Sequence, residues 1–345
     1  MRTKMLLTLL LCCTLISVAR DPIKNYDGAP LEWDKSFVRT RVGRISADNT
    51  LAEISGIACS RVTPGHIWLQ GDDNYKVVAV QPDGTLVSTI KVANSYRDWE
   101  DLCGGVYNDT NYLFVGIFGD NGLNYANKYY IYYFKEPEIV EGKIEVDVDT
   151  IHFAYPDGKA HNAETLMYDN VEQMLYIVDK WNTVNSMGVV YSLPFRTDYD
   201  TVQTLTEICP LGNDVIFKNP TGGDISPDGK YIIVKNEPFM LIWTREDHES
   251  VADAMKRRPK QVEAYIKEDQ GEAIAWLDST TFYTTNDTYN GMAPLYMYTK
   301  QDPNDVGDIL LDSTTMTYKT MDLSKNTLLI HHGKKVYTLL GNEIE

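Results

Sequence analysis

Glu164-Thr-Leu-Met-Tyr168, Asp169-Asn-Val-Glu-Gln173 and Met174-Leu-Tyr-Ile-Val-Asp-Lys180 read as a short strand, a polar turn and a second strand. β-Branched and aromatic residues fill both apolar runs, which is the composition of a hairpin. The same plan recurs at Glu53-Ile-Ser-Gly-Ile-Ala58 with His66-Ile-Trp-Leu-Gln-Gly-Asp-Asp73, and at Glu100-Asp-Leu-Cys103 with Tyr112-Leu-Phe-Val-Gly-Ile-Phe-Gly-Asp120. It returns at Gly223-Asp-Ile-Ser-Pro-Asp-Gly229 with Tyr231-Ile-Ile-Val-Lys-Asn236, and at Glu272-Ala-Ile-Ala-Trp276 with Thr281-Phe-Tyr-Thr-Thr-Asn286. A weaker copy is Asp322-Leu-Ser-Lys-Asn326 with Thr327-Leu-Leu-Ile-His-His332. A strand-rich repeat of roughly fifty residues is the mark of a β-propeller, one four-stranded blade per repeat.

The first repeat can be followed through all four strands. Tyr75-Lys-Val-Val-Ala-Val80 and Thr85-Leu-Val-Ser-Thr-Ile-Lys-Val92 flank the turn Pro82-Asp83-Gly84. There Asp bonds the local backbone and Gly takes positive φ. Six anchors predict an all-β, six-bladed β-propeller. The last blade lacks chain for a fourth strand after Lys334-Lys-Val-Tyr-Thr-Leu-Leu340. Ser36-Phe-Val-Arg-Thr-Arg-Val-Gly-Arg-Ile45 has strand character and would complete it. The ring is thus expected to close with N- and C-terminal strands in the last blade, which removes free edges. Two independent sheets with helical inserts are the competing fold. The one helical stretch, Asp247 to Lys256, is expected in a connection within blade four.

Met1 to Ala19 carries Arg2 and Lys4, then an apolar run, then Ser17-Val18-Ala19. That three-part order is a secretory signal peptide, and the run is too short to span a bilayer comfortably. The expected organisation is a signal peptide over 1–19 and a single propeller domain over 20–345, with 20–35 as a lead-in. The product is expected to be secreted (periplasmic in a bacterium), without a transmembrane segment. The 345 residues carry a formal charge of −17, with 43% hydrophobic and 23% charged residues. Such a surface repels phosphate backbones and anionic lipid, which argues against nucleic-acid partners and favours cations.

First strands line a propeller's channel, so Glu53, Glu100, Glu164 and Glu272, which open their first strands in one register, should converge there. Asp224 and Asp322 fall at the corresponding place with their alternation displaced by one residue. Second strands end in Asp72-Asp73, Asp120-Asn121, Asp179-Lys180, Lys235-Asn236 and Thr285-Asn286, a further polar layer. Crowded carboxylates in a low dielectric need a positive charge among them. One solution is a hard divalent cation, Ca²⁺ above all, taking oxygen ligands from Glu53, Glu100, Glu164, Glu272, Asp120 and Asp224. The other is a salt-bridge network in which Arg97, Lys180 and Lys235 lock the blades. Zinc spacing is absent.

Glu53-Ile-Ser-Gly-Ile57, Asp98-Trp-Glu-Asp-Leu102, Phe118-Gly-Asp-Asn121, Asn162-Ala-Glu-Thr-Leu166, Ile225-Ser-Pro-Asp-Gly229 and Gln270-Gly-Glu-Ala-Ile274 resemble motifs of secreted six-bladed propellers. The group is that of phytase-like esterases and calcium-dependent lactonases, and the likeness covers about residues 50 to 280. It implies Ca²⁺ in the channel and hydrolysis of esters, lactones or phosphoesters. Metal shells in that group mix Glu with Asn and Asp, whereas four Glu stand here.

Two function classes follow. In a metal-dependent hydrolase, His161 or His332 would move protons, while Lys180, Lys235 and Arg97 would hold an anionic group of a small substrate at the channel mouth. In a non-catalytic secreted module, the propeller face would bind a ligand, an extracellular protein or a mineral surface, and the ring would be structural. No Gly-x-Ser-x-Gly elbow occurs. Cys59 and Cys103 lie on neighbouring first strands, where a disulfide is expected, and Cys209 reads as a small buried residue. The tyrosines of Tyr129-Tyr-Ile-Tyr-Tyr-Phe134 read as packing between blades. Asn108-Asp109-Thr110 and Asn286-Asp287-Thr288 match the glycosylation acceptor pattern.

Overall fold

The computed structural model describes residues 30–46, 51, 53–72, 75–92, 97–126, 128–182, 188–211, 217–287 and 292–301, with the strand backbones of 317–322, 327–332, 335–338 and 343–344. The leader, Asp73 and the side chain of His332 lie outside the described residues.

Five blades form the ring, each with a four-stranded antiparallel body; Gly142–Ile144, Gln203–Thr204 and Trp33–Asp34 add short parallel strands outside blades one, two and four. Blade one comprises Ile54–Cys59, Ile67–Gly71, Lys76–Val80 and Leu86–Lys91. Blade two follows with Asp101–Tyr107, Thr110–Ile117, Tyr129–Lys135 and Asp149–Ala154, and blade three with His161–Asp169, Met174–Asn182, Val189–Pro194 and Thr206–Pro210. Blade four is Gly222–Ile225, Tyr231–Lys235, Met240–Thr244 and Lys260–Val262. Blade five takes Gly271–Trp276, Thr281–Asn286 and Met292–Lys300 from the end of the ring, and its outer strand, Phe37–Ser46, from near the N-terminus.

Each first strand packs against the first strand of the next blade, and that of blade five against that of blade one. This closure corrects the expected count: five blades leave no gap for a sixth. The weak sixth copy pairs within itself as Thr317–Asp322, Thr327–His332, Lys335–Thr338 and Glu343–Ile344. In it Asp322 ends the first strand, whereas the glutamate anchors lie ahead of or in the first half of theirs, so Asp322 keeps the spacing of the repeat in a different structural role. Closure by an N-terminal strand holds, but in blade five.

Strand alternation divides the side chains between neighbouring blades. In blade two Tyr129, Ile131 and Tyr133 pack against Leu166, Tyr168 and Tyr191 of blade three. Tyr130 and Tyr132 face Trp68, Val77 and Ala79 of blade one. Phe195 is wedged among Tyr107, Tyr112, Phe114 and Tyr133 with centroids 4.7–5.5 Å away, in edge-on contacts worth about 1 kcal/mol each beyond burial. The tyrosines therefore do cement blades together.

The same alternation keeps the cysteines apart. Cys59 sits in the core between blades five and one, Cys103 in that between blades two and three. Both are free thiols, as is Cys209, so the expected disulfide is not formed. In the turn at Pro82-Asp83-Gly84, Asp83 accepts the Thr85 N–H at 2.9 Å and Gly84 has φ +95°. The blade-four helix is shorter than expected, Val251–Lys256, because Ser250 caps it by accepting the Asp253 N–H at 3.0 Å. No helix among the described residues is long and apolar enough to cross a membrane.

Candidate functional site

Bulges aim the site. Opposite Ile54 and Gly56 the partner strand steps only from Gly71 to Gln70, so Ser55 is an extra residue. Glu164 is extra in the same way between Ala163 and Thr165, and Glu272 between Gly271 and Ala273. In blade two the Glu100 N–H bonds Gly116 O at 3.0 Å while Asp101 also pairs with Gly116, which puts Glu100 at the matching place. A bulged residue is unpaired and re-aimed. Blade four pairs without a register shift from Gly222 to Ile225; the Thr221 N–H bonds Lys235 O at 2.9 Å while Gly222 also pairs with Lys235, so its matching residue is Thr221. The innermost ring is therefore Ser55, Glu100, Glu164, Thr221 and Glu272.

A second layer comes from the strand ends. The Ser55 hydroxyl bridges Asp72 and Glu272, the latter at 3.2 Å. Lys180 Nζ lies 2.5 Å from Glu164 Oε1, while Glu164 Oε2 is buried without a hydrogen-bond partner among the described residues. At Gly119 a side chain would collide with Glu100 and Asp98, so glycine there lets the carboxylates crowd.

The electrostatics follow from this crowding. Burial first, then Glu164 and Asp72, hold Glu100 well above the usual carboxylate range. Burial and then Glu272 do the same to Asp72. Glu272 is pushed up to about 8 by burial and by Glu164. Burial also raises Glu164, against the pull of Lys180. Lys180 stays charged: burial works against its charge, but Glu164 and the other acids outweigh it and raise its pKa.

The other expected site residues have separate places. Glu53 is half-buried two residues ahead of the bulge, with φ 60°, and its carbonyl accepts the Asp72 N–H at 3.0 Å. Asp224 points sideways to a neighbouring blade, accepting the N–H groups of Ile225 (2.8 Å) and Trp276 (2.7 Å); burial lifts it to about 7. Asp101 makes the same latch to Leu166 at 2.7 Å. Asp120 staples its own loop, accepting from the N–H groups of Asn124 and Tyr125 and from the Tyr129 hydroxyl.

Lys235 is fully buried and bonds Glu268 at 3.0 Å, beside Arg39 at 3.2 Å from the same carboxylate. Arg97 bonds the Lys128 carbonyl and lies over Tyr125, 4.2 Å from its ring centroid. His161 is buried, with Nδ1 2.8 Å from Asp179 and Nε2 3.2 Å from Asp157, and stacks on Tyr155 at 3.9 Å. Both its ring nitrogens are thus engaged, at the strand end that carries Lys180.

Sequence reasoning missed Ser55, because a serine between apolar residues carries no signal unless the bulge is known. It also missed the opening at blade four. There a cavity of about 600 Å³ is lined by Lys180, Lys218, Asn236, Phe239, Gln270 and Glu272, among others. Acidic groups thus come from blades one, two, three and five, while blade four contributes the Thr221 hydroxyl, which donates to the Gly271 carbonyl at 2.8 Å, and faces the opening with amides and Lys218.

No protein-family profile matches the chain, and no curated protein matches it. Among solved structures, a glucose dehydrogenase aligns with 75% of this chain and 98% of its own at 10% identity and a TM-score of 0.42. A functionally unknown protein from Desulfotomaculum acetoxidans aligns with 90% of this chain and 95% of its own at 13% identity and a TM-score of 0.36.

For a hard cation the donors are right in kind, since Ser55, Asp72, Glu100, Glu164 and Glu272 offer only oxygen, and Glu164 Oε2 lacks a partner. Among the described residues no three His, Cys, Asp or Glu side chains are already gathered into a coordination shell.

Proposed function

We propose that the chain is an exported, divalent-cation-dependent hydrolase of an anionic ester, with a phosphoester as the favoured substrate. One observation carries this reading: four carboxylates from four blades, Glu100 and Glu164 buried and Asp72 and Glu272 half-buried, crowd one ring in which Lys180 bonds Glu164 and Ser55 bridges Asp72 and Glu272. The motif likeness to phytase-like esterases and calcium-dependent lactonases supports it, although those propellers have six blades.

Glu100, Glu164, Glu272 and Asp72 would hold Ca²⁺, with Ser55 orienting Asp72 and Glu272. When bound, the ion would supply charge neutralisation and polarisation of a substrate oxygen. Lys180 and Lys218 would take the anionic group from the cavity side, while Asn236 and Gln270 orient the remainder. Phe239 offers an apolar wall. His161, clamped by two aspartates, positions the strand end that bears Lys180.

The test is calcium titration by calorimetry on chelator-treated protein, with a phosphoester, ester and lactone panel. Binding near one ion per chain, with turnover lost on chelation and in Glu164→Gln of unchanged circular dichroism, supports the proposal. No binding at millimolar calcium overturns it. Binding without turnover of any panel member would replace it with a ligand-binding module.

A further inference from the structure

We infer that Asn108 carries an N-linked oligosaccharide and that Asn286, the second acceptor tripeptide, does not. The inference rests on export by the 1–19 leader and is independent of the hydrolytic reading. Asn108 and Asp109 form the two-residue tip between the paired residues Tyr107 and Thr110 of blade two. Both are exposed, with φ of 46° and 58°, the left-handed pair of a tight hairpin turn that Asn and Asp tolerate. Thr110, which completes the tripeptide, is half-buried, its hydroxyl 3.5 Å from the Asn108 carbonyl. A glycan on the Asn108 amide leaves into solvent.

Asn286 is the opposite case. It is buried at 8% exposure, its Nδ2 donates to the Asp269 carbonyl at 2.9 Å, and its Oδ1 is buried as well. A sugar on that nitrogen would break the bond and need room inside blade five. It would also stand beside Asp287, one of the acids acting on Glu272. The blade-two tip lies at the far end of Asp101–Tyr107 from Glu100, roughly 20 Å along an extended strand. A glycan at Asn108 therefore leaves the carboxylate ring and its cavity open.

In the transfer, Asn108 Nδ2 attacks the anomeric carbon of an oligosaccharide carried on a lipid diphosphate. The N–C bond forms as the C–O bond to the diphosphate breaks. The lipid diphosphate leaves with that electron pair, and the amide proton passes to a base of the transferase.

The experiment expresses the full chain with its own leader in eukaryotic secretory cells and treats the protein recovered from the medium with a glycan-releasing amidase. The expected result is one downward mobility step, with Asp found at position 108 by mass spectrometry. Asn108→Gln should abolish the step. Thr110→Ala should also abolish it while keeping the asparagine that the turn prefers, and Asn286→Gln should leave it unchanged. Retention of the chain inside the cell, absence of the step, its survival in both blade-two variants, or its loss in Asn286→Gln would overturn the inference.

Discussion

In the metal-free protein, stability should fall as pH rises through the neutral range, the reverse of ordinary acid denaturation. Glu272 has an ordinary pKa near 4.5 and is raised to about 8 in the fold, chiefly by burial and then by Glu164. Between those values the folded chain keeps a proton that the unfolded chain has released. The stabilisation is complete below 4.5 and is lost as pH climbs to about 8, at about 1.4 kcal/mol per pH unit for one such group. Asp224, raised from 3.8 to about 7 by burial, adds a second loss over a lower window. From about pH 5.5 to 6.5 the two together should remove roughly 2–3 kcal/mol. Urea unfolding at several pH values in chelator reads this directly. Glu272→Gln should make the slope shallower, and saturating calcium should flatten it further by stabilising the ionised ring. Stability that rises with pH over this window in chelator would refute a crowded, buried carboxylate ring.

Lys235→Met should cost roughly 2 kcal/mol by urea melts, less than a typical broken buried pair because Arg39 still faces Glu268, while the KM of the surviving fold stays unchanged. Gly222→Ala drives a methyl into the Glu272 carbonyl and should lower stability by about 1–3 kcal/mol, read as a reduced urea midpoint.

The fold was largely legible, because a recurring hairpin leaves a regular spacing of apolar runs that no other architecture needs. The blade number was not, since Asp322 and the strand after it imitate a repeat whose place in the ring is decided only by which first strands touch. The site was legible where a glutamate is itself the bulged residue, as at Glu100, Glu164 and Glu272. Blade one misled by two residues, from Glu53 to Ser55, and blade four by three, from Thr221 to Asp224. A bulge shifts register by a single residue, and a single residue reverses which way a strand side chain points. Lys235 carries the charge expected of a substrate ligand but bonds Glu268, whereas Arg97 bonds the Lys128 carbonyl through one nitrogen and keeps Nε and the other terminal nitrogen buried without a hydrogen-bond partner among the described residues.

Phe37–Ser46 finds its partner, Met292–Lys300, only after roughly 250 further residues have been made. At ordinary synthesis rates the early segment must wait roughly 10 to 50 s, its hydrogen-bonding edge open to any passing strand, before the latch can shut. Production of this protein should therefore be sensitive to how fast the ribosome reaches blade five and to what shelters the nascent N-terminal segment meanwhile. A permuted gene that places residues 37–46 directly after residue 300 would shorten that vulnerable interval to almost nothing.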